Sequence, residues 1–134
     1  MSKTPEGEVA KYLVHRCLEL DFHQRKVSYE GRVGAPDRLV FGGGVSCWIE
    51  LKAFGCTPTV EQMREHDRLR SGGMDVYVCD SKESVDTVLH KLEAKREKIR
   101  FKPKYELIML QRGQFKPYVS VTRSSRNGRK ERDE

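Results

Sequence analysis

The chain lacks any apolar run long enough to cross a bilayer: runs such as Leu107-Ile108-Met109-Leu110 fall far short of the roughly 20 residues a spanning helix needs. The N-terminal stretch Met1-Ser2-Lys3-Thr4-Pro5-Glu6 also lacks the apolar centre of a secretory signal. The expectation is an intracellular, cytoplasmic protein with no membrane partner, in a reducing compartment where disulfides do not form. Among Cys17, Cys47, Cys56 and Cys79 there is no CxxC pair, and His15, His23, His66 and His90 lack zinc-knuckle spacing, so a structural zinc site is not expected. Cys17, Cys47 and Cys79 read as small buried apolar residues and Cys56 as a loop residue. None of the four histidines is given a role. Acidic charge is in the minority: 26 Lys+Arg against 20 Asp+Glu leave a net charge of +6, which favours a polyanionic partner. At 134 residues one domain is expected, with a modest core.

Thr4-Pro5 reads as an N-cap and first helical position, and Val9, Leu13, Cys17 and Leu20 recur along one helical face. Lys26-Val27-Ser28-Tyr29 suggests a short strand before a basic, glycine-punctuated loop, Gly31-Arg32-Val33-Gly34. Arg38 to Phe41 and Ser46 to Ala53 flank Gly42-Gly43-Gly44 as a β-hairpin, on which Phe41 and Trp48 are expected in the core. Thr57-Pro58-Thr59 opens a helix with Val60, Met63 and Leu69 as its apolar residues, ended by Ser71-Gly72-Gly73. A strand over Met74–Cys79 follows, then a helix from Ser84 to about Lys98 with Val85, Val88, Leu89 and Leu92 on its apolar side. This αβββαβ order with a closing helix implies an α/β fold, a mixed sheet flanked by helices. Residues 99–134 read as a basic extension, with another helix around Tyr105–Gln111 and a disordered polar tail from about Arg123.

Asp37 enters one strand of the hairpin and Glu50 lies on the other, so an antiparallel register can bring both carboxylates to one end of the sheet, where they can hold a hard cation. Glu50 and Lys52 are two apart on one strand and emerge on the same face, with Leu51 pointing the other way into the core. Pro36 stiffens the approach to Asp37. Hydrolysis of a phosphodiester needs a metal to polarise the phosphoryl oxygen and activate water, and a cation to stabilise charge at phosphorus. Asp37, Glu50 and Lys52 carry those groups. Arg32, Arg38 and Lys26 flank them and are candidate phosphate contacts, a path that the basic run Lys91–Lys104 could extend.

Gly34-Ala35-Pro36-Asp37-Arg38-Leu39-Val40, Trp48-Ile49-Glu50-Leu51-Lys52-Ala53, Gln62 and Leu69-Arg70-Ser71-Gly72-Gly73 together resemble the VRR-NUC nucleases of the PD-(D/E)xK superfamily, over about Thr4 to Leu89. The resemblance implies a nuclease domain over residues 1–98, with Asp37 and Glu50 binding Mg²⁺ or Mn²⁺ and Lys52 positioning water or stabilising charge. It also implies a catalytic glutamine near the site, here Gln62, and a helix-1 glutamate that joins Asp37 and Glu50 as a metal ligand. Glu6 and Glu8 are the candidates; Glu6 is preferred because it continues the stripe of Val9, Leu13 and Cys17. Stand-alone members of the family are often phage-encoded and similar in fold to Holliday junction resolvases. The implied activity is therefore a divalent-metal-dependent DNA endonuclease acting on branched DNA such as Holliday junctions, as a homodimer supplying two active sites. The alternatives are a nickase or flap-type nuclease, and a catalytically inactive DNA-binding accessory protein. The segments Phe101-Lys102-Pro103-Lys104 and Phe115-Lys116-Pro117-Tyr118 match no part of the family pattern.

Overall fold

In the computed structural model, which describes residues 4–100, helix α1 (Pro5–Glu19) begins where the sequence places it. The Thr4 side chain accepts a hydrogen bond from the Gly7 N–H, so one of the free amides at the helix start is satisfied. Strands β1 (His23–Lys26), β2 (Arg38–Gly42) and β3 (Val45–Leu51) follow, then α2 (Val60–Ser71), β4 (Val76–Cys79) and α3 (Lys82–Arg100). The sheet order is β1-β2-β3-β4, with β1/β2 and β2/β3 antiparallel and β3/β4 parallel. The fold is thus the expected mixed sheet flanked by helices. The helix expected around Tyr105–Gln111 and the polar tail from about Arg123 lie outside the described residues.

The β2–β3 hairpin closes through Gly43 and Gly44, whose φ values of 61° and 87° are those of a two-residue primed turn. That turn sets the register, and the register sets the site. Arg38 pairs with Ile49, Val40 with Cys47 and Gly42 with Val45, so one further step places Asp37 opposite Glu50.

Alternation along β3 sorts its side chains. Cys47, Ile49 and Leu51 join Val40 in a buried cluster with Val9, Leu13 and Cys17 of α1 and Val85, Val88, Leu89 and Leu92 of α3. Burial pushes the thiols of Cys17 and Cys79 up to about 11 and that of Cys47 to about 12, so all three act as protonated apolar fillers. Cys56 is exposed. Across this layer, Asp86 of α3 accepts hydrogen bonds from the Tyr12 hydroxyl and Arg16 Nε of α1.

Three expectations need correction. The first strand runs His23–Lys26 instead of Lys26–Tyr29. Asp21 at φ 59° turns the chain sharply and Phe22 enters the core, so pairing starts at once, whereas the Tyr29 hydroxyl is drawn to Glu65 of α2 at 2.7 Å. Phe41 and Trp48 are only half-buried and lie outside the apolar cluster, because alternation turns them to the face opposite α1 and α3. Phe41 stacks on His23 at 5.2 Å between centroids, and Trp48 Nε1 donates to Met74 Sδ. On α2, Val60 and Met63 are exposed and the buried residues are Glu65 and His66. The inward face of this helix covers a polar site instead of the apolar core.

Candidate active site

Asp37 stands just before β2, and its Oδ2 accepts a hydrogen bond from the Leu51 N–H at 2.8 Å. The bond ties the side chain to the end of β3. Pro36 beside it is fully buried. Gly34 explains why the motif starts with glycine: at φ +95°, a Cβ there would lie 2.8 Å from the Glu61 carbonyl oxygen of α2. The loop before Asp37 therefore runs against the helix that carries the rest of the site.

Glu50 is 1% exposed, and α2 meets both of its carboxylate oxygens. Gln62 Nε2 donates to Oε2 at 3.0 Å, and His66 Nε2 lies 3.8 Å from Oε1. Lys52 Nζ sits 3.4 Å from Oε2, with its side chain 16% exposed. Gln62 is held in turn by a capping box: its Oε1 accepts from the Thr59 N–H and its own N–H donates to Thr59 Oγ1. One amide thus starts the helix and orients the carboxylate.

Burial, followed by the neighbouring Asp37 carboxylate, pushes the Glu50 carboxyl up to about 7, against the lowering effect of Lys52. The Asp37 carboxylate disfavours the charged form of Glu50, and a divalent cation held by these residues would offset that repulsion. The donor set accordingly fits a hard cation of the Mg²⁺ type, which needs only one or two carboxylates and keeps several waters. Among the described residues no cluster of three His, Cys, Asp or Glu side chains is close enough to hold a metal, so Glu6 does not complete a protein-only cage.

Glu6 is nevertheless placed near Asp37. It lines a cavity of about 240 Å³ with Thr4, Gly7, Ala10, Lys26, Asp37, Arg38 and Leu51. Glu8 is exposed and does not line it. Lys26 and Arg38, two of the three basic residues expected near phosphate, therefore flank Asp37. The third, Arg32, lies 3.6 Å from Glu65 and lines a separate cavity of about 490 Å³ with Tyr29 and Arg68.

His66 is the residue that sequence reasoning passed over. It is 2% exposed, and burial, followed by the charge of Arg70, pulls its pKa down, which favours the neutral ring. Its spacing was a usable signal: i+4 from Gln62 puts both on one helical face.

No family model matches the chain. A phage protein named "Putative nuclease p44", from Acyrthosiphon pisum secondary endosymbiont phage 1, is 39% identical over 79 residues, covering 58% of this chain and 85% of that protein. A solved structure described as a VRR_NUC domain superposes with a TM-score of 0.61 at 43% identity, covering 65% of this chain and 96% of the other. The chain belongs to the VRR-NUC nuclease family. Within this VRR-NUC fold, the hairpin motif residues Asp37, Glu50 and Lys52 and the helical Gln62 meet at one end of the sheet. No helix among the described residues is long and apolar enough to cross a membrane.

Proposed function

We propose that this VRR-NUC chain is a divalent-metal-dependent DNA endonuclease that hydrolyses phosphodiester bonds, with Asp37 and Glu50 as metal ligands and Lys52 as the catalytic cation. The observation that carries the reading is the buried Glu50 carboxyl, pushed up to about 7 in part by Asp37, with the Lys52 ammonium 3.4 Å away. A bound Mg²⁺ or Mn²⁺ would polarise the scissile phosphoryl oxygen and lower the pKa of an attacking water.

The chain's own residues do the rest. Leu51 N–H and Gln62 hold the two carboxylates in place, so little reorganisation accompanies cation binding. Lys52, partly exposed at the edge of the site, meets the negative charge that builds at phosphorus. Lys26 and Arg38 beside Asp37 suit the phosphates flanking the cut, whereas Arg32, in a separate cavity, would meet phosphates farther from it. Glu6, in the same cavity as Asp37, is the remaining acidic side chain that would serve the cation.

The substrate class is branched DNA, such as Holliday junctions, cut by a homodimer whose two-fold axis matches that of the junction. The test is cleavage of labelled four-way junction, flap, nicked and linear duplex DNA with Mg²⁺, Mn²⁺ or EDTA, comparing the wild type with Asp37→Asn and Lys52→Ala. Metal-dependent cutting, strongest on the junction and lost in both variants, is expected. A folded wild type that binds these DNAs and cuts none of them would point to an accessory DNA-binding role.

A further inference from the structure

Two buried polar atoms, Glu50 Oε1 and His66 Nε2, have no hydrogen-bond partner, and they face each other at 3.8 Å. Their residues are 1% and 2% exposed, so bulk water does not reach either atom. Leaving a buried donor or acceptor unpaired costs about 1–3 kcal/mol, and closing this gap by under an ångström would satisfy both at once. With Glu50 ionised, as a metal ligand is, an unprotonated Nε2 would set two lone pairs against each other, so the proton belongs on Nε2.

We propose that His66 is a positioning residue for the metal-binding carboxylate, its Nε2–H gripping one oxygen of Glu50 while Gln62, one helical turn earlier, grips the other. The inference rests on the reading of Glu50 as a metal ligand. Gln62 and His66 stand at i and i+4, on the face that α2 turns to the sheet, and between them they address both carboxylate oxygens. A single hydrogen bond leaves a carboxylate free to rotate about its last torsion; two bonds from one rigid helix do not. The Glu50 plane is then set before a cation arrives. Outer partners of this kind typically change metal affinity about 10- to 100-fold.

The experiment measures Mn²⁺ affinity of the full chain by calorimetry and by the loss of the free-ion paramagnetic resonance signal, with thermal unfolding and DNA cleavage in parallel. His66→Leu fills the space without a donor. His66→Gln carries an amide N–H to about the position of Nε2, and His66→Asn carries one that stops short, at about the position of Nδ1. Mn²⁺ binding weakened about 10- to 100-fold in His66→Leu, and restored to within about 3-fold of the wild type in His66→Gln, is expected. Cleavage by the Leu variant should recover at saturating Mn²⁺, which a general loss of structure would not allow. Should His66→Leu fail to fold, the contrast of Asn (weak) with Gln (restored) carries the same test. Wild-type affinity in the Leu or Asn variant, or a Gln variant as weak as Asn, overturns the positioning role while leaving the nuclease reading intact. A wild type that binds no Mn²⁺ yet folds overturns both.

Discussion

The two faces of the sheet solve opposite problems. Under α1 and α3 every buried side chain is apolar, from Val9 and Leu13 through Ile49 and Leu51 to Leu89 and Leu92. On the α2 side the buried residues include Glu50, Glu65 and His66, the buried charged or polar groups among the described residues. Burying such groups costs free energy unless each finds a partner, so the first face stabilises the fold and the second draws on that stability to hold a strained polar site. Leu51 and Glu50 are adjacent in sequence and belong to opposite regimes because β3 alternates.

The comparison can be broken by exchanging the consequences of mutation between faces. Glu50→Gln should lower the cleavage rate by at least about 10²–10³-fold, while the thermal midpoint at pH 8 stays equal or rises, since a buried ionised carboxyl is removed. Single-turnover kinetics and calorimetry on the same sample check both halves. Leu89→Ala, on the other face, should cost about 2–5 kcal/mol in denaturant unfolding and leave the rate per folded molecule unchanged. A Leu89 variant that stays stable but stops cutting would end the division of labour.

Titration sharpens the same contrast. The Glu50 carboxyl is raised from 4.5 to about 7, so between those values the folded state holds a proton that the unfolded state releases. The metal-free protein should therefore lose stability as pH rises from about 4.5 through 7, by an amount on the order of 3 kcal/mol, and level off above. Melting curves in EDTA across pH 4.5–8 check this; Glu50→Gln should flatten the profile, whereas Leu89→Ala should only shift it downward. The smallest effect is expected at Thr59→Ala, which removes the cap of α2 for about 1 kcal/mol and leaves Gln62 less firmly oriented, with a modest rise in the Mn²⁺ needed for half-maximal cutting.

Much of this was legible in the residue order. The caps at Thr4 and Thr59, the glycine turn and the apolar spacing in α1 and α3 are local signals, and local physics reads them correctly. The approach of Asp37 to Glu50 was legible as one register that an antiparallel hairpin allows, and the two-residue turn at Gly43-Gly44 selects it. The α2 face was not legible. Its apolar residues Val60 and Met63 point outward and His66 points inward, a reversal that depends on what lies across the gap and not on the helix. The first strand was misplaced for a similar reason, since the turn at Asp21 and the capture of Tyr29 by Glu65 are decided elsewhere in the chain.

By itself, then, the amino-acid order determined the order of elements along the chain and the hairpin motif Asp37, Glu50 and Lys52, because caps, turns and strand alternation act within a few residues, while Gln62 was legible only through the family resemblance. Only the tertiary structure decided that Glu50 is buried, that Asp37 raises its pKa and that His66 faces it. Burial and through-space charge depend on how α2 docks across the sheet, and that docking is a property of the whole fold.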